Sequence, residues 1–293
     1  MWEALPPLLA ADGKPRGLLV LINNADAALR QSFLEVLDAS VVVQRTFSRV
    51  RVESAGLSGD SDLYIRGQMS SMGTQGNVAG PNNLFFKAIE LAKDDGGFAF
   101  QCELDCFPLV SGWLTKLDEC VSSFPQSWVI GSNYTGYRPI HPSVMFHING
   151  NALYQVGDPQ FQAFARQIWR GRILKIVNTR PNIAYDCWWQ MELASAEPSR
   201  NSGWFNWVAF SHRFTALPLI LNLLHRNDFR EDLEIAKQIE LLSGRRNIFL
   251  HAHFLRPVIQ NYLRDENKMR EDLLTVLARE VPDHAGSLSD ERK

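Results

Sequence analysis

Two carboxylates separated by one residue stand out in the segment Phe98-Ala-Phe-Gln-Cys-Glu-Leu-Asp-Cys-Phe-Pro108. Phe98 to Cys102 is an apolar run of strand length, so Glu103 and Asp105 fall where a buried strand runs out into a loop. From there both can turn toward a hard divalent cation, which takes oxygen ligands. In open α/β sheets the ligand crevice lies at those carboxyl ends. The pattern equally fits two solvated loop residues, with Asp105 capping the next helix. E-x-D is short and common, and alone it leaves both readings open.

Three further constellations carry chemistry. Asn182-Ile-Ala-Tyr-Asp186-Cys-Trp-Trp189 puts a carboxylate near a helix start beside three aromatic rings. A carboxylate in such surroundings can have a raised pKa suited to a general base; the competing reading is an ordinary Asp favoured by the helix dipole, with the tryptophans as core. Asp158 is a reserve candidate, although Asp-Pro at a helix start reads more simply as a cap. His147-Ile-Asn149-Gly150-Asn151 reads as a loop between a strand and a helix, where glycine lets the backbone approach a ligand and amides read hydroxyls. Asn151 also fits a helix N-cap, and Asn149 is the stronger ligand candidate. In His251-Ala-His253-Phe-Leu-Arg256-Pro257, an extended backbone turns both histidines to one face, so either can reach a metal.

The elements that must position these groups follow from periodicity. Gly17 to Ile22 reads as a strand and Ala27 to Leu37 as a helix; Val41 to Val43 and Val50 to Val52 suggest strands. Met69 to Gly80 is a long small-residue loop, of the kind that is functional or disordered. Gly80-Pro-Asn-Asn opens a helix to Lys93. Beyond the acidic motif come a helix from about Leu109 to Ser122, strands at Trp128–Gly131 and Ser143–His147, helices over Asp158–Trp169 and Ala184–Ala194, and a charged amphipathic helix over Arg256–Arg279. Strands alternating with helices point to an α/β sheet.

The chain has 293 residues, with 30 Lys+Arg against 32 Asp+Glu, which excludes a strongly basic nucleic-acid binder. At 45% hydrophobic and 21% charged, it has enough apolar material for a sizeable core. No apolar run approaches the roughly 20 residues a membrane span needs. The first residues lack the basic start and continuous apolar stretch of a signal peptide, and the expected setting is cytoplasmic. Cys102, Cys106, Cys120 and Cys187 form neither a disulfide framework nor a C-x-x-C pair, and read as reduced.

The order of Gly80-Pro-Asn-Asn helix, apolar strand, Glu103-Leu-Asp105, tryptophan-bearing helix, strand, and His147-Ile-Asn-Gly-Asn-Ala-Leu-Tyr154 resembles A-type (GT-A fold) glycosyltransferases, over about Gly17 to Ala194. The resemblance implies a nucleotide diphosphate sugar as donor, a glycan or related hydroxyl acceptor, and Mn2+ or Mg2+ held by Glu103 and Asp105 on the diphosphate. That metal role agrees with the absence of a glycine-rich phosphate loop, since the ion then carries most of the charge neutralisation. It further implies that Asn23 and Asn24, with Arg66, Asn82 and Asn83 as weaker candidates, contact base or ribose, although Asn-Asn after a strand also suits turn chemistry. Asn149, Gly150 and Asn151 would contact donor sugar or acceptor, and Asp186 would be the base of an inverting reaction. The third metal ligand would be His253, in a segment that departs from the family pattern in spacing and in lacking a glycine; Arg256 could instead pair with the diphosphate. Trp113, Trp188, Trp189, Trp204 and Trp207 suggest carbohydrate stacking, beside the plain reading of packed tryptophans.

The expected architecture is therefore a GT-A-like α/β domain over residues 1–255, with a mainly parallel, mixed sheet flanked by helices. Its nucleotide-binding half spans about 17–106 and its acceptor half 107–255, and a helical extension covers 256–293. Two alternatives compete: a non-catalytic carbohydrate-binding or scaffolding domain of the same fold, and another divalent-metal phosphate-ester enzyme such as a nucleotidyltransferase.

Overall fold

The computed structural model describes residues 2, 3, 5–10, 12–65, 68–134, 146–195 (backbone alone over 192–195), 211–222 and 247–251. The first strand, β1 (Gly17–Ile22), pairs in parallel with β2 (Arg49–Ser54). Between them lie α1 (Ala27–Ala39), whose first turn is capped by the Asp26 carboxylate accepting from Leu29 N at 2.7 Å, and α2 (Val41–Thr46). The expected strand at Val41–Val43 is thus helical. Ser40 caps it through Val43 N, and Val43 and Thr46 turn inward, so capping and packing override the β-propensity of three valines.

The long loop before α3 (Ala79–Ala92) is ordered around one buried amide. Asn77 accepts from Met72 N and donates to Gln68 O, Ser70 O and Asn182 Oδ1. After α3 come β3 (Ala99–Phe100), β4 (Cys106–Pro108), α4 (Trp113–Ser123), β5 (Val129–Asn133) and β6 (Ile148–Tyr154). Then α5 (Pro159–Ala163) runs through a π-helical stretch, Phe164–Trp169, into α6 (Arg170–Ile176). The described elements end with α7 (Tyr185–Ser195), β7 (Phe214–Ala216), β8 (Ile220–Asn222) and β9 (Phe249–His251). The expected C-terminal helix, Arg256–Arg279, lies outside the described residues.

The fold is mixed α/β. A four-stranded sheet has the order β3-β6-β5-β7 and a three-stranded one the order β4-β9-β8. β5 pairs in parallel with β7, and β8 with β9, whereas β3–β6, β5–β6 and β4–β9 are antiparallel. The expectation of a mainly parallel sheet is corrected: β6 runs against both its neighbours. Among the described helices, none is long and apolar enough to cross a membrane.

The second correction concerns the same strand. His147–Asn151, expected as a loop, is the entry into β6, all seven of whose residues are buried. Ile148, Ala152 and Tyr154 join an aromatic core with Phe85, Trp128, Trp169, Tyr185, Trp188 and Trp189, while Leu153 joins the other core with Phe107, Trp113, Ile130 and Phe249. Period-two alternation thus gives β6 one face for the aromatic core and one for Asn149, Asn151 and Leu153. Trp113, Trp188 and Trp189 are 2–7% exposed and act as core, as the plain reading held. Trp204 and Trp207 lie outside the described residues.

Candidate metal centre

The acidic motif occupies a turn between two strands anchored at both ends. On the β3 side Gln101 N bonds Ala152 O, and Glu103 N donates to the buried Asn151 Oδ1 at 2.7 Å. On the β4 side Cys106 N returns to Glu103 O at 3.0 Å, and Cys106 sits opposite His251 in the β4–β9 register. Leu104, at the tip, is 88% exposed, while the carboxylates on either side of it turn toward β9.

There they meet His251. Its Nε2 lies 3.4 Å from Glu103 Oε2 and 3.4 Å from Asp105 Oδ1. The three ligand atoms fall within 4.8 Å of one another, close enough to share one ion. The other ring nitrogen is held by amides: His251 Nδ1 is 3.1 Å from Asn222 Oδ1 and 3.3 Å from Asn151 Nδ2. With Nδ1–H donated to Asn222, the Nε2 lone pair faces the carboxylates, as a metal-binding imidazole requires. Asn151 ties the site together. Besides Glu103 N, its amide reaches Glu103 Oε2 at 3.2 Å and Asn149 Oδ1 at 3.2 Å. Burial alone would discharge His251, but hydrogen bonds and charge from Asp105 and Glu103 outweigh it and push its pKa up to about 9. Two carboxylates around one buried imidazole suit either a proton or a divalent cation at Nε2.

A second cluster lies across β6. Asp186, in the first turn of α7, accepts from Gly150 N at 3.1 Å and faces His147 Nε2 at 3.5 Å, with the Cys187 thiol within 4.8 Å of both. The expectation of a raised pKa is corrected. Burial does push this carboxyl up, yet His147, Gly150 N–H and Cys187 together hold it below the ordinary Asp value. Gly150 is required here because a methyl group on its Cα would overlap the Tyr185 ring. That ring stacks on Phe85 at 3.9 Å between centroids and seats α7.

The remaining candidates are placed as follows. Asn23 and Asn24 form the turn after β1 and both donate to Asp62, at 2.5 and 3.4 Å, while Asn23 Oδ1 accepts from Leu57 N and Asn24 takes a left-handed φ of 54°. These bonds fit the turn-chemistry reading. Asn82 clamps the start of α7 by donating to Ile183 O and accepting from Tyr185 N. Asn83 donates to Ser61 O and Gln75 Oε1 and accepts from Arg170. Both amides are thereby engaged in joining loops. Asp158 caps α5 and accepts from Trp128 Nε1 at 2.9 Å. Asn149, Gly150 and Asn151 all lie on β6 between the two clusters, but Asn151 is fully buried and orders the acidic turn. Arg66, His253 and Arg256 lie outside the described residues. The histidine brought to the carboxylates is His251, two residues before the expected His253. Asn222 was not legible in the sequence, since nothing near it signals a site; His147 was visible as the first residue of its motif, but without a partner.

No protein-family model matches the chain, and no curated protein matches it. Among solved structures it is similar to the crystal structure of mouse xyloside xylosyltransferase 1 in its apo form. The TM-score is 0.46 at 10% sequence identity, over 86% of this chain and 89% of that chain.

Proposed function

We propose that the chain is a metal-dependent glycosyltransferase that moves a sugar from a nucleotide diphosphate sugar to a hydroxyl of a glycan or similar acceptor. The convergence of Glu103, Asp105 and His251, with His251 oriented through its far nitrogen, carries the reading. This donor set fits Mn2+ or Mg2+: two hard carboxylates, plus an imidazole that favours manganese. When bound there, the ion would neutralise the donor diphosphate and stabilise it as a leaving group.

The protein's own residues supply the rest. Asn151 fixes the turn that presents Glu103, and Asn222 fixes the imidazole. Asn149 lies on the β6 face nearest the carboxylates and is the proposed contact to donor sugar; Asn23 and Asn24, through the turn they build with Asp62, are proposed to shape the nucleotide end. Asp186 acts together with His147. An ionised carboxylate orients the imidazole, and the pair accepts the acceptor hydroxyl's proton in an inverting reaction. In a retaining reaction the pair has no base to supply.

The test is product identity. Incubation with nucleotide sugars and manganese should release a nucleoside diphosphate, and Asp105→Ala should abolish release. Pyrophosphate as the product would establish the nucleotidyltransferase alternative, and glycan binding with no turnover on any donor would establish the binding domain.

A further inference from the structure

Cys187 has no part in the proposed proton transfer, yet it completes a ligand set. A ring nitrogen of His147, a carboxylate oxygen of Asp186 and the Cys187 sulphur all lie within 4.8 Å of one another. His147 comes from the residue just before β6, and Asp186 and Cys187 from the first turn of α7. Both sides are fixed. Asn82 holds the start of α7 through Ile183 O and Tyr185 N, Trp169 Nε1 donates to Tyr185 O at 2.9 Å, and Gly150 N–H holds the Asp186 carboxylate. On the β6 side, Phe146 takes a left-handed φ of 62°, a costly conformation for a bulky residue, directly ahead of the buried His147.

We propose that His147, Asp186 and Cys187 form a second metal site, one that takes Zn2+ or another thiophilic divalent cation, and that its occupation stops proton removal by the Asp186–His147 pair. The spacing fits such an ion. A tetrahedral cation bonded at about 2.0–2.2 Å to a nitrogen and an oxygen holds the two roughly 3.3–3.5 Å apart. His147 Nε2 lies 3.5 Å from Asp186 Oδ2. The donors also separate this site from the acidic turn. Glu103, Asp105 and His251 offer two hard oxygens and an imidazole, whereas sulphur, imidazole and one carboxylate are a mixed set suited to zinc. Without an ion, burial and the neighbouring carboxylate keep the Cys187 thiol protonated. A zinc-class ion displaces that proton to solvent as the sulphur–metal bond forms, which the oxygen-seeking Mg2+ does not.

Occupation and base catalysis exclude each other. The ion takes the ring nitrogen and the carboxylate oxygen through which the pair would accept the acceptor hydroxyl's proton. The site is enclosed without being sealed, since the Asp186 side chain keeps 14% of its surface exposed. This regulatory half of the proposal rests on the proposed function; the metal site itself does not.

The experiment titrates the full chain with Co2+, a spectroscopically visible stand-in for Zn2+, and then displaces it with Zn2+. Expected is a thiolate-to-cobalt charge-transfer band in the near ultraviolet, abolished by Zn2+, absent in Cys187→Ser and Cys187→Ala, and retained in Asp105→Ala, with circular dichroism reporting that each variant folds. Zn2+ affinity should fall by about tenfold or more in Cys187→Ser. Wild-type protein without the band would overturn the site, as would a band that survives both Cys187 variants or is lost in Asp105→Ala. In Mn2+-saturated protein, Zn2+ should stop sugar transfer by wild type, and Cys187→Ser should need at least tenfold more Zn2+ for the same inhibition. Equal inhibition of the two would overturn the regulatory half. Protein that transfers no sugar from any donor would refute the proposed function, while the cobalt spectrum still decides the site.

Discussion

In the metal-free protein the position a cation would take at His251 Nε2 is contested by a proton. His251 is held near a pKa of about 9 by Asp105 and Glu103, so at neutral pH it is protonated and must lose that proton when an ion binds. The apparent affinity is then reduced by the factor 1 + 10^(9 − pH), roughly 100-fold at about pH 7 and roughly tenfold at about pH 8, which is about 3 kcal/mol at the lower pH. Isothermal titration with Mn2+ between about pH 6.5 and 9, in two buffers of different ionisation heat, reads both consequences. Affinity should rise close to tenfold per pH unit up to the pKa, and about one proton should be released per ion at neutral pH. Replacing His251 by Asn should weaken binding and flatten its pH dependence. The sign for stability follows from the same shift. A raised folded-state pKa gives the metal-free protein a contribution that is complete below the ordinary value of 6.5 and lost as pH rises through about 9. An Mn2+ affinity constant across that window, with no proton released, would refute the reasoning.

Asp105→Ala should leave the fold intact by circular dichroism yet abolish Mn2+-dependent donor turnover; retained turnover would sink its ligand role. Asn151→Ala removes a fully buried amide bonded to Glu103 and Asn149, and should cost about 2–3 kcal/mol by urea denaturation. It should also weaken Mn2+ binding by about 10–100-fold. Gly150→Ala drives a methyl group into the Tyr185 ring and should destabilise by about 1–3 kcal/mol, measured in the same way. Asp186→Asn should show its full stability deficit near neutral pH. A carboxylate whose folded pKa is depressed contributes above its unfolded value of 3.8 and loses that contribution as pH falls through the lower one, so wild type and variant should converge in acid.

Local signals made much of the scaffold legible. The sequence pattern places the strands at Gly17–Ile22 and Val50–Val52 and the helices opening at Ala27 and Gly80 within a few residues of β1, β2, α1 and α3. The misreadings share a physical cause in tertiary context. Val41–Val43 has β-branched residues but follows a serine that caps a helix. Asn149, Gly150 and Asn151 look like a loop because asparagine and glycine are depleted in strands and favoured in turns. Here Asn151 is satisfied by the acidic turn, and Gly150 makes room for Tyr185, so both are buried in a strand. Glu103-x-Asp105 was legible as a pair, and its neighbourhood was not. Asn222 lies 29 residues before His251 and reaches it only through the parallel pairing of β8 with β9, a long-range contact without a sequence signature. Between His251 and His253 the alternation of an extended chain allowed either; the β4–β9 register puts His251 opposite Cys106, at the end of the acidic turn.

The most direct test of the central claim is a thermal-shift screen of the full chain against nucleoside diphosphates and nucleotide sugars, each with Mn2+ and with chelator, since ligands that bind the native state raise Tm. The account predicts a Tm increase with one nucleotide base that requires Mn2+ and disappears in Asp105→Ala. Folded wild-type protein that shows no shift with any nucleotide, or the same shift in chelator, would contradict it.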